Sequence, residues 1–212
     1  SYQDEIEAAV LKVLRSNRYI LGEEVEALEN EFADYIGTHS AIGVANGTDA
    51  LEIAIESLDL PKDSEIIVPA NSFIASAEAV TRCGHRVVFS DINSATYVLD
   101  LEDVERRITL KTKAIIAVHL YGHPCDMDGL AVLAMKHNLK IIEDCAQAHG
   151  AAINQKKVGS FGKISAFSFF VAHNMTTIEG GMILTNDKAI NDKCRSLREF
   201  GRIPQKLINK DS

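Results

Sequence analysis

The chain has 212 residues, 46% apolar and 25% charged, which is the usage of a globular protein without low-complexity tracts, so disorder is excluded as the main state. Thirty acidic against twenty-two basic side chains give a net charge of −8 with no basic run, and a nucleic-acid backbone finds no footprint on it. Apolar stretches such as Ala114 to Val118 and Phe167 to Ala172 fall far short of the ~20 residues that cross a bilayer, so no membrane partner is expected.

Ser1 to Glu7 is acidic and polar, unlike the basic-then-apolar start of a secretory signal, which makes the cytoplasm the expected compartment. Tyr2 to Leu14 and Gly22 to Tyr35 read as two helices, an N-terminal segment over 1–35 that lies outside a sheet or against a second subunit. From about residue 40, β-rich runs alternate with helical patterns, the signature of an α/β protein with a parallel sheet and crossover helices. The expected strands are Ala41 to Ala45, Glu65 to Pro69, Arg86 to Ser90, Lys113 to His119, Lys140 to Asp144, Ile164 to Phe169 and Met182 to Thr185. Several are continuously apolar, as strands covered on both faces must be. Between them, helices are expected over Thr48 to Leu58, Ser72 to Arg82, Leu101 to Ile108, Asp128 to His137 and Lys188 to Phe200. In the first, Leu51, Ile55 and Leu58 recur at spacings of four and three and form one stripe to lie on the sheet. The sheet domain covers 36–201, and the polar, patternless stretch 202–212 reads as a truncated or disordered tail. Cys83, Cys125, Cys145 and Cys194 match neither a zinc knuckle nor a redox pair and are read as reduced, buried thiols.

In an open parallel sheet, ligands collect at the carboxyl ends of the strands. Asn46-Gly47-Thr48-Asp49 joins a strand to a helix there, where glycine permits a tight backbone and first-turn amides can hold an anion. Gly47, Thr48 and Asp49 are therefore phosphate-cup candidates, with Thr48 or Asp49 as a plain helix cap the alternative. Phe73, after Pro69 and Asn71-Ser72, puts an aromatic ring at the mouth of the same face, either to stack on a planar ligand or to join the core. Asp144 ends an apolar strand, where a carboxylate is costly to desolvate unless paired, so it is expected to face a cation or a protonated ring nitrogen. The alternative is an exposed strand-end acid, with the nearby Gln147 bonded to backbone. Phe167 to Thr177 runs from a strand into a hydroxyl-rich turn holding His173, whose imidazole suits acid/base work, with a plain surface or core histidine the alternative, while Ser168 can reach the same phosphate as Thr48. His119 to Asp126 offers metal-type side chains. Gly122 and Pro124 make that run a turn rather than the helix a histidine pair at i, i+4 needs, and no metal is expected. His149 acquires no role.

Taken together, Gly47-Thr48-Asp49-Ala50-Leu51, Val68-Pro69-Ala70-Asn71-Ser72-Phe73, His119 to Asp128, Ile142-Glu143-Asp144-Cys145-Ala146-Gln147-Ala148, and Phe167-Ser168-Phe169 with Glu179-Gly180-Gly181 resemble the DegT/DnrJ/EryC1/StrS family, the nucleotide-sugar branch of the fold type I pyridoxal-phosphate enzymes. The resemblance runs from about Tyr19 to Gly201. It implies an aspartate-aminotransferase-like large domain with a mostly parallel seven-stranded sheet, the C-terminal small domain being largely absent. It also implies pyridoxal 5'-phosphate or pyridoxamine 5'-phosphate as cofactor, with the phosphate held by the Gly47-Thr48-Asp49 turn and Ser168. Phe73 would stack on the ring, Asp144 would partner the pyridinium, and Gln147 would sit near the ring hydroxyl. A homodimer whose subunits share the site is a further implication.

One departure decides the expected chemistry. Aminotransferases of the family carry a lysine in the turn after Phe-Ser-Phe, because a covalent tether to the cofactor needs a primary amine. This chain has His173 there, and Lys163 lies ten positions earlier, before the strand. An imidazole cannot form the tether, so transamination anchored at this position is excluded. Histidine here is similar to the sugar 3-dehydratases, which hold pyridoxamine phosphate noncovalently. The expected function is thus a 4-keto-6-deoxy-sugar 3-dehydratase of deoxysugar and polysaccharide biosynthesis, with His173 as acid/base and a nucleotide-linked 4-keto-6-deoxy sugar as substrate. No cysteine follows Phe200-Gly201-Arg202 as far as Ser212, which favours the type that restores its cofactor from L-glutamate over the iron-sulfur type. The alternatives are a sugar aminotransferase whose lysine has been replaced, and a non-catalytic sugar-binding pseudoenzyme.

Overall fold

The computed structural model describes residues 1–202; the expected tail lies outside them from residue 203 onward. Strands β1 (Ser40–Val44), β2 (Glu65–Pro69), β3 (Arg86–Ser90), β4 (Thr112–Val118), β5 (Lys140–Asp144), β8 (Ile164–Ser168) and β9 (Gly181–Thr185) build one sheet in the order β1-β9-β8-β5-β4-β2-β3, while β6 (Ala152–Ile153) and β7 (Lys156–Lys157) form a separate hairpin. Every neighbouring pair in the large sheet is parallel except β1 with β9 and β8 with β9, so β9 alone runs backwards. The sheet is mostly parallel with seven strands, as the apolar runs imply.

Those runs are apolar throughout because helices cover both faces. Along β4, Ala114, Ile116 and Val118 join one core with Ala50, Leu51, Ala54 and Ile55 of α3 (Gly47–Ser57) and with Ala79 and Val80 of α4 (Ile74–Arg82). Ile115 and Ala117 point the other way, to Val104 of α5 (Leu101–Arg107) and to Met127, Leu130 and Leu133 of α6 (Met127–His137). Each Val, Leu, Ile or Met among them contributes about 1.5–3 kcal/mol when fully buried, and the period of two assigns alternate residues to opposite layers. Asp100, Asp126 and Asp187 cap α5, α6 and α7 (Lys188–Arg198) by accepting first-turn amides.

At the amino end, α1 (Tyr2–Ser16) buries none of its residues, whereas α2 (Glu23–Ile36) turns Phe32, Ala33 and Ile36 into a third core with Phe167 and Phe169. Glu29 of α2 is buried but paired: it accepts Gly43 N–H at 2.9 Å and the guanidinium groups of Arg195 and Arg198 at 2.9 and 2.6 Å. That cluster joins α2, β1 and α7.

The structure departs from the sequence reading at some edges. The short hairpin of β6 and β7 is additional. Its turn residues Asn154 and Gln155 both have positive φ, 48° and 67°, which fits a primed hairpin turn that the usual Asn-Gly pair would have advertised. The helix expected from Ser72 starts at Ile74 because Phe73 is still extended. The helix expected to reach Phe200 ends at Arg198, since Phe200 and Gly201 adopt φ of 59° and 77°. Among the described residues, no helix is long and apolar enough to cross a membrane.

Candidate active site

The turn between β1 and α3 meets the carboxyl end of β8. A Cβ on Gly47 would stand 2.6 Å from Ser168 Cβ and 3.0 Å from Ser168 Oγ, so only glycine lets the start of α3 come this close to the serine. The helix cap is Asn46, whose Oδ1 accepts Asp49 N–H at 2.8 Å. This corrects the alternative that Thr48 or Asp49 is the cap: both lie inside the first turn. The amides of Gly47 and Thr48 are among those a helix cannot satisfy internally, and they begin an 11-residue helix whose dipole favours an anion there.

Ser168 also holds His173. Ser168 Oγ lies 2.8 Å from His173 Nδ1 and accepts Phe170 N–H at 3.3 Å. The turn is closed by His173 N–H donating to the Phe170 carbonyl at 2.9 Å, and the Phe170 ring meets the imidazole edge-on at 5.8 Å between centroids. Nε2 is thereby the imidazole nitrogen not engaged by Ser168.

Asp144 ends β5, opposite Val118 of β4 and Ala166 of β8. It is only 6% exposed, which overturns the exposed-acid alternative. Its carboxylate accepts Ser76 Oγ–H at 2.8 Å and Ala146 N–H at 3.2 Å, and Ser72 Oγ is 3.0 Å from Ser76 Oγ. Burial raises the pKa of Asp144, against the downward pull of Ser76, the Ala146 amide, His119 and His173. No side-chain cation among the described residues forms an ion pair with it. Nearby, Gln147 Oε1 accepts Tyr121 N–H at 2.8 Å, which is the backbone bond of the alternative reading. Phe73 is 70% exposed at the start of α4, on the rim rather than in the core.

Sequence reasoning missed three contributors. Ser76, a hydroxyl on the buried stripe of α4, carried only that mismatch as a signal. His119 and Glu143 form a buried pair: Nε2 lies 3.1 Å from the carboxylate, which also accepts the amides of Gly159, Phe161 and Gly162 at 2.6–2.7 Å. Burial works against the ionised Glu143, but His119 and these amides outweigh it and lower its pKa. Because His119 Nδ1 accepts Cys125 N–H at 3.0 Å, the ring proton sits on Nε2 and points at Glu143. His119, Glu143 and Cys145 stand as close together as the ligands of a metal ion would, yet both imidazole nitrogens are already engaged. The surrounding run is a turn, with Tyr121 at φ 56°.

His149 lies edge-on to Phe167 and Phe32. Burial above all, with His173 nearby acting in the same direction, lowers its pKa to about 4 against the Ser168 backbone, so it remains a neutral ring behind the β8 strand. Lys163 Nζ pairs with Asp187 at 2.6 Å, at the end of β8 opposite Ser168. Cys125, Cys145 and Cys194 are buried free thiols and Cys83 is half-buried; burial raises all four.

This sheet, with a buried acid at one strand end and a helix start packed on the serine at another, is the α/β fold of pyridoxal-phosphate-dependent aminotransferases. The model of the DegT/DnrJ/EryC1/StrS aminotransferase family matches residues 1–210, and the chain belongs to that family, which depends on pyridoxal or pyridoxamine phosphate. It is 46% identical over 201 residues to a dTDP-3-amino-3,6-dideoxy-alpha-D-galactopyranose transaminase of Aneurinibacillus thermoaerophilus, covering 94% of this chain and 55% of the relative. A solved aminotransferase structure from Psychrobacter cryohalolentis superposes with a TM-score of 0.93 at 44% identity, over 97% of this chain and 53% of that one. A GDP-4-keto-6-deoxymannose-3-dehydratase, solved as a histidine-to-asparagine mutant with GDP-perosamine, gives a TM-score of 0.83 at 34% identity, over 87% and 50%. The chain spans about half the length of the relatives it matches. The names of the more similar relatives stand with sugar amino transfer, the alternative of the sequence reading, rather than with 3-dehydration.

The residues present fit the family's cofactor. Gly47 leaves the start of α3 free to abut Ser168, room that suits a phosphate, and Asp144 is a buried carboxylate with no ion pair among the described residues, which suits a pyridinium.

Proposed function

We propose that this chain is the cofactor-gripping part of a nucleotide-sugar enzyme that uses pyridoxamine phosphate without a covalent tether. The overall reaction is amino transfer at the keto carbon of a nucleotide-linked sugar, with the family's lysine replaced by His173. Support for amino transfer comes from the names of its relatives. The observation that carries the untethered part is local: the turn that would offer a primary amine offers an imidazole held by Ser168, and Lys163 is bound to Asp187.

When bound, the cofactor supplies an amine and an electron-accepting ring. The protein's share is grip, orientation and proton movement. The amides of Gly47 and Thr48, within the turn that continues to Asp49, and the hydroxyl of Ser168 bind the phosphate. Asp144 keeps the ring nitrogen protonated, with Ser76 and Ala146 fixing the carboxylate. Gln147 donates its amide hydrogens toward the ring hydroxyl, and Phe73 covers the ring. His173 Nε2 takes and returns the proton at the cofactor's methylene carbon, a role that general bases typically accelerate by about 10²–10⁴-fold. L-Glutamate serves as amino donor, and a second copy of the chain completes the site.

A second reading is 3-dehydration of a nucleotide-linked 4-keto-6-deoxy sugar, favoured by His173 itself, because the same proton transfer can expel the C3 hydroxyl. Incubation with pyridoxamine phosphate and a dTDP- or GDP-linked 4-keto-6-deoxy sugar, followed by mass spectrometry, separates the readings. An amino sugar supports amino transfer, a 3-deoxy product supports dehydration, and cofactor binding without turnover identifies a pseudoenzyme. Either product must disappear in His173→Ala.

A further inference from the structure

We infer that Ser168 is a positioning residue that selects the tautomer of His173, and that an anion seated at the β1–α3 turn switches the imidazole into its basic form. The inference rests on the reading that pyridoxamine phosphate occupies this site.

The bookkeeping of protons leads to it. A serine hydroxyl has one hydrogen to give and two lone pairs to receive. Phe170 N–H occupies one lone pair of Ser168 Oγ, leaving one lone pair and one hydrogen for the 2.8 Å contact to His173 Nδ1. Two arrangements fit that distance. In one, Ser168 donates to Nδ1, the ring proton is on Nε2, and Nε2 can only donate. In the other, Nδ1–H donates to Ser168, and Nε2 presents a bare lone pair. Only the second is a base at Nε2.

The turn beside Ser168 decides between them. With Gly47 packed against Ser168, a phosphate on the α3 amides competes for the hydroxyl hydrogen. Hydrogen bonds to an ionised acceptor are roughly twice as strong as neutral ones, so the hydroxyl turns to the phosphate and its second lone pair receives Nδ1–H. The ring loses its proton at Nε2 and gains one at Nδ1 through solvent, so its charge does not change. Of the other titratable groups near the ring, Asp144 is held by Ser76 and Ala146, and His149 stays neutral. Neither supplies a competing partner for Nδ1.

The test is nitrogen NMR of the chain labelled in its histidines, with His173 assigned by comparison with His173→Gln. On adding pyridoxamine phosphate or inorganic phosphate, the Nδ1 resonance should move from the unprotonated to the protonated range and Nε2 should move the opposite way. Pyridoxamine, which lacks the phosphate, should leave both in place, and Ser168→Ala should lose the response to every ligand. If pyridoxamine phosphate binds by calorimetry yet the wild-type nitrogens do not exchange roles, or if Ser168→Ala responds like wild type, the inference fails while the cofactor reading stands. If pyridoxamine phosphate does not bind at all, both fall together.

Discussion

Asp144→Asn removes a charge while preserving volume, which isolates what the buried carboxylate does to the cofactor-free protein. The carboxylate is 6% exposed and supported by two hydrogen bonds, from Ser76 and Ala146. Burial outweighs that support and raises the pKa, so at neutral pH the folded state holds an ion it would more readily hold in water. Each unit of such a shift corresponds to about 1.4 kcal/mol, and taking one ion out of water carries an effective penalty of roughly several kcal/mol. Asparagine keeps an acceptor for one donor but turns N–H groups toward the other, which leaves an expected gain of about 1–2 kcal/mol. For a chain of this size that is roughly 2–8 °C in Tm. The pH dependence has a fixed sign. A raised acid favours the folded state below the unfolded value near ~3.9 and loses that advantage as pH rises through the folded value. The gain from Asp144→Asn should therefore be absent below about pH 4 and grow toward neutrality. Urea unfolding of both proteins without cofactor at acidic and neutral pH measures this. A variant that is less stable at neutral pH, or a difference that ignores pH, refutes the argument. Pyridoxamine phosphate should bind the variant at least about tenfold more weakly, a loss of ~1.4 kcal/mol or more, because the ring nitrogen has lost its partner.

Other perturbations probe the remaining geometry. His173→Lys restores a primary amine, and borohydride treatment with pyridoxal phosphate should then add the cofactor's mass to residue 173, with no such adduct there in the wild type. Glu143→Ala strips the acceptor from the buried Gly159 amide, the partly buried amides of Phe161 and Gly162, and the buried His119, and should lower unfolding free energy by about 3–5 kcal/mol. EDTA should leave the wild-type melting curve unchanged; a drop would assign an ion to the His119–Glu143–Cys145 cluster. In Gly47→Ala the added methyl meets Ser168 Cβ, so overpacking of about 1–3 kcal/mol should exceed the helix-propensity gain of up to about 1 kcal/mol. Undiminished binding of pyridoxamine phosphate by that variant would rule out the turn as phosphate cradle. Lys163→Met should cost less than about 1 kcal/mol, since its ion pair is partly exposed, and should not alter cofactor binding.

The elements of the fold were legible because their signals are local. Ile66 to Val68, Ala114 to Val118 and Ile141 with Ile142 are apolar without interruption, and Leu51 with Ile55 marks the buried side of α3. Candidate residues were legible for the same reason: Gly47, Asp144, Ser168 and His173 stand next to strand ends, and strand ends face one edge of the sheet. The hairpin at Ala152 to Lys157 was not, because Asn154-Gln155 lacks the glycine that usually marks such a turn.

The sequence by itself determined the seven strands of the large sheet and the helices between them to within a few residues, the buried stripe of α3, and that the turn after Phe167-Ser168-Phe169 holds an imidazole instead of an amine. Only the tertiary structure decided that β9 runs backwards between β1 and β8, that Gly47 abuts Ser168, that Ser76 reaches Asp144 across 68 positions, and that Glu143 spends its charge on His119 and three amides. Periodicity encodes the face a residue presents, an energy set within a few residues. Which distant segment fills the other side depends on packing both faces of the whole sheet at once, and no local pattern carries that sum.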